Sequence, residues 1–300
     1  PASTRTLATL RDRLTEMGYQ RNLYLMKSSG GVATVEDARR RSVYYLHSGP
    51  AAGVIGALSL AARMDQSNII TADMGGTSYD VCLIHQAKPT MTTDTWEERY
   101  RVAVPRIEIY SIGAGGGSIA RLNEMGLPKV GPESAGSTPG PACYGRGGRL
   151  PTVTDADLVL GYINPDYFLG GKMQLCGRQA AEVIGELATV LGTDVERTAW
   201  GIRQLVDENM ASAARVHATE RGLDIRNYHL VATGGAGPVH AVSVAQRLGI
   251  TTVVVPPGAG VGSAFGLLLA PVAFDFSSTW VCRMSEIEPN QVQKLFDRME

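Results

Sequence analysis

Within "RTLATLRDRLTEMGY", Leu7, Leu10, Leu14 and Met17 recur at helical spacing, which predicts a helix stopped by Gly18. "NLYLMKS" reads as a strand running into Gly30-Gly31, and "TVEDARRR" as a short helix with Thr34 as N-cap. "HSGPAAGVIGALSLAARM" reads as a further helix, its start marked by Ser48 and Pro50. "NIITAD", "YDVCLI" and "MTTDTW" read as successive strands, and "VAVPRIEIYSIGAGGGSIARLNEMG" as strand, glycine loop and helix. Over 126–171 the periodicity gives way to Gly, Pro, Ser and Thr, as in "VGPESAGSTPGPACYGRGG". So long a loop in a compact domain is functional, mobile or a structural Ω-type insertion. "RQAAEVIGELATVLG" then places Ala180, Val183, Ile184, Leu187 and Leu191 on one helical face. "TDVE" reads as a capping box, with Thr193 as N-cap and Glu196 reaching back. It opens a helix through Ile202, Leu205, Val206, Met210 and Ala213 to a Gly222 stop. "HLVATGG" reads as a strand ending in glycines, "GPVHAVSVAQRLG" as a helix and "ITTVVVPPG" as a buried strand. Alternating strands and helices around a hairpin cluster predict an α/β fold with a mixed sheet.

Composition narrows the picture. With 44% hydrophobic and 19% charged residues, a packed core is expected. A net charge of −1 without a basic block argues against a nucleic-acid footprint. The apolar stretch "GAGVGSAFGLLLAPVAF" is Gly-rich and cut by Pro271, a buried helix with a stop rather than a membrane span. Cys82, Cys143, Cys176 and Cys282 show no CxxC spacing, which points to a reducing, cytoplasmic setting without a zinc site or disulfide framework. The five histidines form no HExxH-type pair. The first residue is Pro, and the last residues read as a helix that simply stops, so the chain is expected to be a piece of a longer protein.

Three glycine clusters follow predicted strands: Gly75-Gly76, Gly115-Gly116-Gly117, and Gly234-Gly235-Gly237. Glycine lets backbone N–H groups approach an anion closely. "DMGGTSYD" adds Asp73, Thr77, Ser78 and Asp80 to the first cluster. Such a hairpin can wrap a terminal phosphate with its turn amides and hydroxyls, with Asp73 holding hydrated Mg²⁺. Asp80 can do the same or brace the turn, and a polar β-turn is the plainer reading.

"DMGGTSYDV" resembles the second phosphate hairpin of the actin-like (ribonuclease H-like) ATPase superfamily, whose chaperone members carry D-L-G-G-G-T-F-D-V. "HSGPAAGVIGAL" and "PPGAGVGSAFGLLLA" resemble its two connecting helices, and "LVATGGAGPVHA" its adenosine-binding strand, glycines and helix. Within that superfamily the order "SGPAAGV", "DMGGTSYDV", "SIGAGGGSIA", "GPESAGSTPGPACYGRGG", "PTVTDADLVLG", "GGAGPVHA" is similar to the hydantoinase A/5-oxoprolinase family. That family more often has Thr at the place of Tyr79, which implies an altered contact beside the phosphates. The superfamily's first phosphate hairpin is absent, as no second D-x-G-G-T occurs. The resemblance therefore implies a remnant of the first ATPase domain at 1–47, the second ATPase domain at 48–270 with the 126–171 insertion, and the start of a following segment at 271–300.

The activity implied is an ATP-dependent amidohydrolase that phosphorylates the carbonyl oxygen of a small cyclic amide, such as a hydantoin or 5-oxoproline. It implies ATP and Mg²⁺ as cofactors, and as partners the missing first domain and a B-type subunit or domain. Asp73 and Asp80 are the implied catalytic residues, with Asp73 also on the metal. Gly75, Gly76, Thr77 and Ser78 would contact phosphates, Gly115–Gly117 would offer an anion site opening a helix, and Gly234, Gly235 and Gly237 would floor the adenosine. Asp155 and Asp157 are candidates for the cleft, Asp155 equally a helix cap, and His240 is either packing or catalytic. The alternatives are the ATP-binding subunit of a ketone carboxylase and a nucleotide-gated binding module without catalysis. An NAD site on "GAGGGS" is disfavoured, because Ser118 takes the third glycine's place and Glu133, the next acid at suitable distance, falls in a Pro/Gly loop.

Overall fold

The structure, a computed structural model, describes residues 2–97, 99–276 and 278–299. Helix α1 (Ala2–Glu16) ends before Gly18, whose φ of +89° suits glycine. Strands β1 (Tyr24–Met26) and β2 (Val32–Thr34) pair antiparallel and lead into α2 (Val35–Arg40), where the Thr34 hydroxyl accepts from the Asp37 N–H. Helix α3 (Ser48–Arg63) precedes the central hairpin of β3 (Ile69–Met74) and β4 (Tyr79–His85), flanked by β5 (Lys88–Pro89). The expected strand "MTTDTW" is split between β6 (Met91–Thr92) and β7 (Thr95–Glu97), which pair with β9 (Arg106–Ile107) and β8 (Tyr100–Val102). Then follow β10 (Tyr110–Ile112), β11 (Ser118–Leu122), β12 (Pro128–Ser134), α4 (Val153–Val159), α5 (Gly177–Leu191) and α6 (Val195–Glu220). The remainder is β13 (His229–Thr233), α7 (Gly237–Leu248), β14 (Thr252–Val254), α8 (Gly262–Leu269) and α9 (Pro289–Asp297).

The main sheet runs β10-β4-β3-β13-β14, with β5 beside β4. The β10-β4 and β4-β3 pairings are antiparallel, and β3-β13 and β13-β14 are parallel, so the expected mixed sheet is present. Strand alternation divides the core. Ile70, Ala72, Met74, Tyr79, Val81 and Leu83 face the layer of α4 to α7, whereas Ile69, Cys82 and Ile84 face α3. Asp73 and Asp80 are cross-strand partners in this register.

Several local expectations give way to tertiary structure. "SIARL" is the strand β11, not a helix, because Asn123 closes a hairpin: its side-chain oxygen accepts from the N–H groups of Met125 and Leu127. The glycine loop 115–118 therefore opens no helix. This also removes the strand–turn–helix context of a dinucleotide fingerprint, and Glu133 lies on β12, paired with Arg121 at 2.6 Å. The 126–171 stretch is not uniformly loop, since it contains β12 and α4. Asp194, not Thr193, caps α6, accepting from the Arg197 N–H at 2.7 Å, while the Thr193 N–H still bonds back to α5.

β14 is an edge strand with partly exposed residues, not a buried one. α8 is likewise mostly exposed, with only Gly266 buried. A Cβ at Gly266 would stand 1.7 Å from the Ala52 carbonyl oxygen, so α3 and α8 meet backbone to backbone. No helix among the described residues is long and apolar enough to cross a membrane.

Candidate phosphate-binding site

The turn between β3 and β4 spans Gly75 to Ser78 and is closed by the Gly75 N–H donating to the Ser78 carbonyl at 3.0 Å. The carbonyls of Gly75 and Gly76 point inward and accept from the N–H groups of Gly116 (3.1 Å) and Gly117 (2.7 Å). A planar trans peptide sets its C=O and N–H in opposite directions. The N–H groups of Gly76 and Thr77 are consequently turned away from the floor, and neither they nor that of Ser78 has a hydrogen-bond partner among the described residues. A Cβ at Gly75 or Gly76 would meet open space. The turn thus presents consecutive free donors, the arrangement that receives an anion.

Gly115, Gly116 and Gly117 are buried beneath this turn, and their own N–H groups are used up by Ser118 Oγ, the Gly75 carbonyl and the Gly76 carbonyl. An added Cβ at Gly115 would lie 2.5 Å from Thr77 N, and one at Gly117 2.9 Å from the Gly76 carbonyl. Their place is under the β3–β4 turn, as its floor. The floor is tied to α4, since Thr154 donates to the Gly116 carbonyl from both its N–H (2.7 Å) and its hydroxyl (2.8 Å).

On the α3 side stand the two carboxylates. Burial raises the pKa of Asp73, with the Thr233 hydroxyl opposing and the Asp80 charge adding to the shift. Burial likewise raises that of Asp80, opposed by its hydrogen bond from Ser111 (2.5 Å) and by the charge of His47. Gly53 of α3 leaves room here, as its Cβ would approach Asp73 Oδ2 to 3.3 Å. The β13–α7 loop passes over the end of β3: the Ala236 N–H donates to the Met74 carbonyl, and Gly234, at φ +83°, would place a Cβ 2.2 Å from that oxygen. Gly235 is exposed with open space around it, and Gly237 is buried at the start of α7.

Tyr79 does not reach the open side of the turn. It is 1% exposed and packs in the core with Met74 and Val81. Asp155 and Asp157 also lie away from the cleft. Asp155 is the third residue of a capping box with Thr152 and also accepts from the N–H groups of Ala142 and Cys143, which pins that turn to the start of α4. Asp157 joins a buried ionic cluster: Arg203 donates to it at 2.5 Å and to the Val239 carbonyl at 2.6 Å. His240 Nδ1 bonds Asp207 at 2.7 Å, and its Nε2 lies 3.1 Å from Asp157. His240 is 1% exposed and locks α4, α6 and α7 together.

Thr154, Thr233 and Ser111 were not singled out from the sequence. The T-x-x-D capping pattern of "TVTD" marks Thr152 and Asp155 as the start of α4, and only through that helix does it place Thr154.

The cluster makes stability pH-dependent. Burial opposes the charge of His240, but Asp157 and Asp207 outweigh it and push the pKa from 6.5 up to about 9. Its contribution is therefore complete below pH 6.5 and is lost as the pH rises through 9, about 3 kcal/mol in all. Urea midpoints of the wild type should fall across this window, whereas His240→Gln should show a flatter profile; parallel profiles would remove the imidazolium from the cluster.

Residues 1–276 match the model of the hydantoinase/oxoprolinase family. The chain is 40% identical over 272 residues to the caprolactamase subunit alpha of Pseudomonas jessenii, covering 90% of this chain and 39% of that protein. The crystal structure of the ATP-dependent caprolactamase of that organism superposes with a TM-score of 0.84 at 36% identity, over 100% of this chain and 44% of the other. The nucleotide-free structure of acetone carboxylase, from work on ATP-dependent acetone carboxylation, gives 0.82 at 35% identity, over 89% and 38%. The chain thus spans about two fifths of the length of these relatives. Similarity along nearly its whole length makes the chain a member of the hydantoinase/oxoprolinase family.

Proposed function

We propose that this chain is the ATP-binding part of an A-type subunit of an ATP-dependent cyclic amide hydrolase. The observation that carries the reading is the β3–β4 turn, whose amides are oriented outward by the Gly115–Gly117 floor beside two half-buried carboxylates. When bound, Mg-ATP supplies the phosphoryl group that converts the amide carbonyl oxygen into a leaving group and opens the ring carbon to water. Gly76, Thr77 and Ser78 receive the phosphates through backbone N–H groups fixed before binding. Thr77 and Ser78 add hydroxyl donors.

Asp73 would orient the metal and water, and Asp80, its cross-strand neighbour held by Ser111, would share the cation or brace the turn. Two carboxylates fit a hard cation that keeps most of its ligands as water and phosphate oxygens. Among the described residues, no group of three or more metal-ligating side chains competes with that arrangement. Gly234, Gly235 and Gly237 give the nucleotide a side-chain-free approach at the end of β13. Residues 48–270 correspond to the second ATPase domain, and 1–47 to a remnant of the first, whose own phosphate hairpin would complete the cleft. A B-type subunit completes the hydrolysis.

A second reading, the ATP-binding subunit of a ketone carboxylase, is favoured by the near-equal superposition on acetone carboxylase. Substrate-dependent phosphate release by the full-length protein with its B-type partner separates the two. Release with 5-oxoproline, hydantoin or caprolactam supports the hydrolase; release only with acetone or acetophenone plus bicarbonate overturns it.

The floor gives a prediction of its own. Gly115→Ala places a methyl group against Thr77 N, and the clash is relieved by displacing an exposed turn rather than the core. Stability should change by about 1–2 kcal/mol, while Mg-ATP affinity falls at least roughly tenfold. Unchanged affinity by calorimetry would count against the floor's orienting role.

A further inference from the structure

A second cavity, of about 380 Å³, lies between the β11–β12 hairpin and helices α5 and α6. Val130, Leu187, Ile202 and Leu205 give it an apolar interior. Three cations, Arg121, Lys129 and Arg197, line it, and no carboxylate does. Arg121 and Arg197 are held at the surface by Glu133 (2.6 Å) and Asp194 (3.4 Å), and Lys129 makes no ion pair within 4.0 Å among the described residues, its charge acting on Glu133 from farther off. An apolar interior with a few convergent polar groups at its edge is the usual composition of a small-molecule site. Three cations against the carboxylates of Glu133 and Asp194 leave the edge net positive, which favours an anionic head group that can pair there while staying largely hydrated.

We infer that this cavity binds a small amphipathic carboxylate, its hydrocarbon body among Val130, Leu187, Ile202 and Leu205 and its carboxylate between Lys129 and Arg197. The assignment does not depend on the ATP reading, because none of these residues belongs to the phosphate turn. Gly201 offers a clean test. It lines the cavity in the second turn of α6, and an added Cβ meets no atom within 4 Å. Gly201→Leu therefore fills the cavity while replacing a poor helix former by a good one, so the variant is expected to fold at least as stably as the wild type.

Calorimetric titration of the full-length protein with octanoate, and with 1-octanol as its uncharged counterpart, reads the site. Octanoate should bind in the sub-millimolar range and 1-octanol at least roughly tenfold more weakly. Gly201→Leu, with its thermal midpoint retained, should lose octanoate binding by at least roughly tenfold. The double variant Lys129→Glu, Arg197→Glu should weaken octanoate and spare 1-octanol. No heat at millimolar octanoate, unaltered binding in folded Gly201→Leu, or equal affinity for the alcohol would each overturn the proposal.

Discussion

Replacing Asp73 by Asn is expected to leave the full-length protein folded and to lower its ATP-dependent turnover by roughly a thousandfold or more. The two effects separate because Asp73 is costly to the fold. Its carboxylate is partly buried, its pKa is raised by that burial, and it shares one face of the sheet with Asp80. A folded pKa above the unfolded one means that the ionised form destabilises the native state at neutral pH, the charge being favoured less there than in the open chain. Asparagine keeps the shape and an acceptor for the Thr233 hydroxyl and removes the repulsion with Asp80. The thermal midpoint should therefore be unchanged or raised, while the negative oxygen needed to orient a hydrated cation is lost. A partly buried, mutually repelling pair costs the fold stability, and its place beside a turn with free donors gives it a use in chemistry. Near-normal turnover in Asp73→Asn would remove the residue from the mechanism; a large fall in stability would mean that its carboxylate is structural.

How much of this was legible in the sequence depended on whether a residue's role is local. The β3–β4 hairpin could be read from "TADMGGTSYDV", because acids, glycines and flanking apolar runs lie within one turn. The helices α3, α5, α6 and α7 followed from spacing and stop signals, and Thr34 from its place before α2. The function of Gly115–Gly117 could not be read this way. A glycine run after a strand looks the same whether its N–H groups meet a ligand or a neighbouring carbonyl, and only the fold brings it beneath Gly75 and Gly76.

Tyr79 misled for a related reason. It is adjacent in sequence to Ser78 and Asp80, but strand alternation turns it to the opposite face. The helix expected after Ser118 failed because five residues between a glycine floor and an Asn123 turn fit a hairpin strand better than a helix. Asp157 and His240 gave no sequence sign of being partners, since 83 positions separate them and Arg203 of a third helix joins them.

That cluster carries the largest expected loss of stability. Arg203→Ala should destabilise the protein by about 3–5 kcal/mol, because removing one member of a buried charge network leaves the others uncompensated. Arg203 is 3% exposed, donates to Asp157 and to the Val239 carbonyl, stands 3.9 Å from Asp207, and stacks over the Tyr162 ring at 3.9 Å. Without it, Asp157 keeps only His240, and Asp207 shares that imidazole with Asp157 and has Arg247 at 4.0 Å. The cost falls on α4 first, because α4 is short and its Asp157 loses its shorter bond. Thr154 lies on the same helix and holds the Gly116 carbonyl, so loosening α4 also loosens the floor that turns the Gly76 and Thr77 N–H groups outward. Arg203→Ala should accordingly weaken nucleotide binding even at temperatures where the variant is folded, although Arg203 contacts no part of the turn. Urea unfolding measures the first effect and calorimetry with Mg-ATP the second. A stability loss below about 1 kcal/mol would mean that water or protonation compensates the pocket, and full stability loss with unaltered affinity would break the link between the ionic cluster and the phosphate turn.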